Sequence, residues 1–254
     1  MRSLFRDEPG SPHAFEPVSN VFPTINGADI AAVTLGERIA GDFYDCIRVG
    51  PERVLFGLLD VAGRRETNRD ILTAAQDTFR TLGAELFSPS DVNESDAMTE
   101  LCLRLNRRIL EVSTGVHSCP AFIACYHEKF GTLCYTNAGH TAGFLRDSAG
   151  ITELRSSGLP LGLFSHATCD APTVGTEKGS ALLLVSRGVV ESGGENSNSA
   201  DDFGLERVKQ AFQAAPAPGT AQSLCACILN AATEFHSGKL AAEDATALAF
   251  LRTK

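Results

Sequence analysis

Strand signals in this chain arrive in turn-linked pairs, and helix signals arrive two in succession. "FYDCIRV" (43–49) and "RVLFGLLDV" (53–61) are separated by "GPE", and "AFIACYH" (121–127) and "TLCYTN" (132–137) by "EKFG". β-Branched and aromatic runs bounded by such short turns read as hairpins. Between the two hairpins, Leu72, Ala75, Phe79, Leu82 and Leu86 recur at steps of three and four, as do Met98, Leu101, Leu105, Ile109 and Val112. That spacing predicts two amphipathic helices, with "SPSDVNES" supplying the Pro and capping residues of an antiparallel pair. A doubly wound parallel sheet needs a crossover helix after each strand. This order therefore excludes one and predicts an α/β chain of the α+β type, with antiparallel sheets covered by helix pairs.

The remaining signals fit the same plan. "ADIAAVT" (28–34) reads as a strand, shorter strands are expected around 143–146 and 151–154, and "SALLLVS" (180–186) reads as a buried one. After the polar loop "SGGENSNSADD" (192–202), helices are expected near 203–213 and 220–235, the second with Leu224, Cys227, Ile228, Ala231 and Phe235 on one face. "ATALAFLR" (245–252) closes the chain as a strand. Residues 1–25, rich in Pro, Ser and charge without a period, read as a loose lead-in to one domain over 26–254.

A hydrophobic content of 43% over 254 residues is ample for a sizeable core. The net charge of −9 argues against nucleic-acid and anionic-membrane surfaces, which recruit Lys and Arg clusters. No apolar run approaches a membrane span, and the start of the chain has no apolar stretch of signal-peptide length, so the expected compartment is the cytoplasm. The eight cysteines include no C-x-x-C pair, and several fall in apolar periodic segments. They read as buried free thiols.

Acidic residues matter most at strand ends, where geometry is fixed. Asp42 and Asp45 flank the start of a strand in "AGDFYD", and Asp60 ends the apolar run "LFGLLDVAG". Glu243 and Asp244 stand just before the last strand. Singly, each reads as a turn or strand-end cap. Together they suggest a hard-cation site, since Mg²⁺ and Mn²⁺ prefer carboxylates, carbonyls and water. Two such ions about 3.5–4 Å apart bind phosphate oxygens and generate a hydroxide nucleophile.

The order "IAGDFYD", "LDVAG", "NAGH", "GLPLG", "SRGVVES", "FGLERV", "EDATALAFLR" resembles the metal-dependent protein serine/threonine phosphatases of the PPM class, in the bacterial SpoIIE/RsbU-like branch. The resemblance runs from about residue 28 to 252. It implies a four-layer α-β-β-α sandwich of two mainly antiparallel sheets flanked by helix pairs, with a binuclear Mn²⁺ or Mg²⁺ centre between the sheets. It also implies hydrolysis of phosphoserine or phosphothreonine by metal-activated water. The implied substrate is a phosphorylated regulatory protein of the anti-sigma-factor antagonist type. Carried over, Asp60 is the metal-bridging carboxylate, the Val61 carbonyl a further ligand, and Asp42 holds the second ion. Glu243 falls on a ligand position with Asp244 beside it. Asn137 and His140 match the Asn-Ala-Gly-His segment, where His140 is expected to be structural.

The departures concern charge. Arg187 stands where the branch pattern Thr-Asp-Gly has its metal-ligating Asp, and a guanidinium neither deprotonates nor ligates a cation. Leu59 replaces a Gly before Asp60, Arg64 and Arg65 replace His-Gly, and Ala40 replaces the first of two glycines. Two readings stay open. One is a divergent phosphatase with one ion or two, in which Arg64, Arg65 or Arg187 binds substrate phosphate. The other is a pseudophosphatase without metal, in which Arg187 pairs with Asp60 or Glu243 and the domain acts as a regulatory protein-binding module. With so short a lead-in, signal input is expected from a partner protein.

Overall fold

The computed structural model describes residues 22–35, 40–64, 68–115, 117–166, 168–191, 202–216, 219–236 and 244–254. Among these residues, ten strands form two five-stranded antiparallel sheets. One sheet has β2 (Ala40–Arg48), β3 (Arg53–Arg64), β4 (Ala121–His127), β5 (Thr132–Ala138) and β8 (Thr173–Gly175), in that order. The other runs β1 (Ala28–Leu35), β10 (Ala245–Arg252), β9 (Ala181–Val185), β6 (Gly143–Asp147) and β7 (Gly150–Leu154). Both expected hairpins, β2–β3 and β4–β5, pair as the short turns require. The helix pair is α1 (Arg69–Phe87) and α2 (Glu94–Val112), with Asn93 capping α2 through bonds from the Ser95 and Asp96 amides. Residues 1–21 lie outside the described part, while Phe22 already packs edge-on against Tyr44 and Ile25 is buried.

Side-chain parity shows why the core strands read as continuous apolar runs: each is buried on both faces. From β3, Val54, Phe56 and Leu58 join Leu182, Leu184, Leu248 and Phe250 of the opposite sheet in the layer between the sheets. Leu55, Leu59 and Val61 face the other way, against Ile71, Phe79, Met98 and Leu105 of α1 and α2. Leu183, Val185, Ala247 and Ala249 pack beneath α4 (Gly204–Ala214) and α5 (Ala221–Phe235). The order is helices, sheet, sheet, helices.

Three features differ from expectation. A short strand, β8, extends the first sheet, where the residues carry too little apolar pattern to announce it. Arg187 begins one helical turn, α3 (Arg187–Val190), directly after the strand expected over 180–186, an element the sequence reading does not include. The thiols are not all free: Cys102 and Cys169 form a disulfide 67 residues apart, and the other six remain thiols. Sequence spacing is silent about that pair because α2 and the chain before β8 meet only after the helices dock.

Candidate functional site

Asp42 and Asp60 are direct cross-strand partners of β2 and β3. Asp60 continues the parity of Phe56 and Leu58, so both carboxylates point between the sheets, at the end where the strands leave the core. From the opposite sheet, Ser186 continues the inward parity of Leu182 and Leu184, and Thr246 that of Leu248 and Phe250. Ser186 Oγ accepts the Thr246 amide at 3.0 Å, which ties the ends of β9 and β10 together. Asp244, also buried, stands just before β10. Asp42 and Asp60 therefore share one end of the space between the sheets, with Asp244 near enough for its charge to act on Asp42.

Asp45, three residues from Asp42, has the opposite parity. It is buried toward α1, where Arg80 donates to both its oxygens at 2.6 and 3.1 Å. The first Asp of "GDFYD" serves the pocket and the second anchors a helix. Gly41 has a separate role, because a Cβ there would lie 2.2 Å from the Val61 carbonyl oxygen. Of the two glycines in the branch pattern, this is the one the strand pairing requires. Gly188 is similar, as a Cβ would fall 2.1 Å from the Asp244 carbonyl.

Arg187 stands beside Asp60. Its backbone N–H donates to Asp60 Oδ2 at 2.9 Å, and its Nη2 stands 3.8 Å from Asp60 Oδ1. Glu191 Oε2 lies 3.9 Å from the guanidinium Nε. Both oxygens of Asp60 thus face Arg187, one a main-chain donor and the other a permanent cation. Among the described residues Asp42 has no such neutralising partner, and its Oδ2 is buried without a hydrogen bond. Burial, then the charges of Asp60 and Asp244, push its pKa to about 7, while the Thr246 and Ser186 hydroxyls favour the charged form.

His140 is buried beside this group. Thr141 Oγ1 donates to the Val185 carbonyl at 2.6 Å, so it can accept from His140 Nδ1, 3.1 Å away. That arrangement leaves Nε2 bare, and among the described residues it has no partner. Burial lowers the ring's pKa, opposed by its bond to the Thr141 carbonyl and by Asp60, so the imidazole is held toward its neutral form. Asn137 fastens the turn, donating to the Thr141 and Leu154 carbonyls and accepting the His140 amide. Ser186 and Thr246 were not legible as pocket residues, although each is a hydroxyl interrupting an apolar strand.

Other expected site residues are placed less fully. Arg64 ends β3 opposite Ala40, across a register shift, and its side chain lies outside the described residues, as do Arg65 and Glu243. A pair of divalent ions needs several carboxylates free toward one point. Among the described residues no three His, Cys, Asp or Glu side chains group as a metal-holding set. Asp60, which would bridge the ions, is engaged by Arg187 at both oxygens. The described residues do not fit a two-ion centre.

The two-sheet sandwich has the fold of PP2C phosphatase domains. The profile of Stage II sporulation protein E (SpoIIE) matches residues 50–253, and the chain belongs to that family. Among curated proteins none matches. Solved structures agree on the fold. The RsbU and RsbW domains of a Mycobacterium tuberculosis protein align with a TM-score of 0.73 at 19% identity, covering 91% of this chain and 62% of that one. The phosphatase domain and regulatory fragment of SpoIIE from Bacillus subtilis align at 0.69 and 14%, covering 88% and 63%. RsbX in complex with magnesium aligns at 0.60 and 13%, covering 88% and 94%. The chain thus spans less than two thirds of the first two.

Proposed function

We propose that this is a SpoIIE-type domain that recognises a phosphorylated regulatory protein, of the anti-sigma-factor antagonist type, without the two-ion hydrolysis its resemblance implies. The observation that carries this reading is the double engagement of Asp60 by Arg187. Phosphate approaching a carboxylate pocket needs a positive charge ahead of it. Metal ions supply that charge in a two-ion phosphatase. Here a guanidinium stands 3.8 Å from Asp60 Oδ1 instead, and a guanidinium binds phosphate through paired, charge-assisted hydrogen bonds. Arg64 and Arg65 follow Asp60 closely in sequence and are assigned to the same phosphoryl-binding role. Leu159 and Phe164, exposed apolar side chains on the connection between β7 and β8, would meet the partner's polypeptide. The acidic composition fits a protein partner rather than nucleic acid. Among the described residues no helix is long and apolar enough to cross a membrane, and we place the domain, residues 26–254, in the cytoplasm.

A second reading rests on the orphaned Asp42 Oδ2. A single Mn²⁺ or Mg²⁺ held by Asp42 and the Val61 carbonyl, with Glu243 and Asp244 nearby in sequence, would leave a slow phosphatase. The two readings separate in one experiment: Mn²⁺ calorimetry alongside p-nitrophenyl phosphate and phosphoserine-peptide turnover. The binding reading expects peptide binding, lost in Arg187→Ala, with no turnover at millimolar Mn²⁺. Metal-dependent turnover abolished by Asp60→Asn would overturn it in favour of the second.

A further inference from the structure

One face of α2 carries Ser95, Thr99, Cys102 and Asn106, at steps of four, three and four, so they form a single stripe along the helix. All four reach the crossover that leads from β7 to β8. Ser95 Oγ donates to the Ala171 carbonyl at 2.8 Å and Thr99 Oγ1 to that of Cys169 at 3.4 Å. Cys102 is bonded to Cys169. Asn106 Nδ2 donates to the Phe164 carbonyl at 2.9 Å, while its Oδ1 accepts the Gly162 amide at 2.8 Å. The helix thus grips the crossover at four points, one of them covalent.

The other side of the crossover forms the pocket's rim. Leu161 and Cys119 exchange both backbone hydrogen bonds, at 2.9 and 3.0 Å. Gly158 bridges to Ala138, and Ser156 Oγ accepts the Gly139 amide beside His140. The next residue after Cys119 closes the path, since the Pro120 carbonyl accepts the Asp60 amide at 2.9 Å. The Cys119 thiol is itself pushed up to about 12, by burial and then by the charge of Asp60. A continuous chain of bonds therefore runs from the disulfide through the crossover to the main chain of Asp60.

We propose that the Cys102–Cys169 bond is a redox latch that holds the crossover on α2 and, through it, the rim of the Asp42–Asp60 pocket. Closing the latch takes two protons and two electrons from the two thiols, and a small-molecule disulfide accepts them and is cleaved to two thiols. Opening it is exchange with a dithiol. Cys102 is fully buried and Cys169 half-buried, so the incoming thiolate attacks the Cys169 sulfur and Cys102 leaves as the thiolate. With the covalent point gone, four hydrogen bonds from three residues of α2 remain, and local opening becomes easier.

The test uses the full chain, oxidised with glutathione disulfide or reduced with dithiothreitol. Maleimide labelling in denaturant should count six thiols in the first and eight in the second. Hydrogen exchange at the Leu161, Gly162 and Cys119 amides should quicken on reduction by about tenfold, that at Asp60 and Arg187 by less, and that at Leu248 and Phe250 not at all. Cys169→Ser should exchange like the reduced protein under both conditions. Eight labelled thiols after oxidation, or identical exchange at Leu161 and Gly162 in both states, would overturn the latch. Phosphopeptide binding does not enter the readout, so the outcome is independent of the proposed function.

Discussion

Replacing Arg187 tests the electrostatics of the pocket most directly. An ion bound to Asp60 Oδ1 sits about 2.1 Å from that oxygen. Because the guanidinium Nη2 is 3.8 Å from the same atom, ion and guanidinium would lie about 4 Å apart. At that separation a divalent and a monovalent cation repel by about 2 kcal/mol in water and about 8 kcal/mol at an effective dielectric of 20. The Arg187 side chain is 41% exposed, so the screened end of that range applies. Removing the charge in Arg187→Ala should then tighten Mn²⁺ binding about thirtyfold, and reversing it in Arg187→Asp about a thousandfold. The backbone N–H that donates to Asp60 Oδ2 survives both changes, so Asp60 keeps its orientation. Calorimetric or paramagnetic-resonance titration of the three proteins with Mn²⁺ reads the series. Equal affinities across it would mean that the guanidinium does not stand where an ion would bind. Micromolar Mn²⁺ affinity in the unaltered protein would refute the assignment outright.

Asp42→Asn should stabilise the fold at pH 8. The carboxyl titrates near 3.8 when unfolded and about 7 when folded, so the folded state holds the extra proton between those values. Stability therefore falls as pH rises from about 4 to about 7, and the Asn variant, by up to a few kcal/mol, should escape that loss. Urea melts at pH 4 and pH 8 should show a difference only at the higher pH. Gly41→Ala should cost about 2–3 kcal/mol, because the new methyl group would meet the Val61 carbonyl and pry β2 from β3. Arg80→Ala strands the Asp45 carboxylate, 1% exposed, and should destabilise by about 3 kcal/mol, the low end because Arg80 itself is 40% exposed. Asp45→Asn with Arg80→Ala should recover much of that loss in a double-mutant cycle; strict additivity would count against the ion pair.

The architecture was written locally. Alternating faces in β3, β9 and β10 and the three-and-four spacing in α1 and α2 each follow from a period set by backbone geometry, so the sequence alone carried strand, helix and hairpin. It also carried the convergence of Asp42 with Asp60, since one short hairpin makes them partners. Other features belonged to the tertiary structure. Arg187 meets Asp60 across 127 residues because the two sheets stack, and the sequence offered that pairing only through the family resemblance, as one of two possible partners. The placement of the Ser186 and Thr246 hydroxyls and the bond between Cys102 and Cys169 likewise depend on tertiary packing. The sequence supplied a cation at an unusual place. The packing of one sheet on the other turned it into a neighbour of the pocket's central carboxylate, because only close packing at that interface brings strand ends so distant in the chain within a few ångströms.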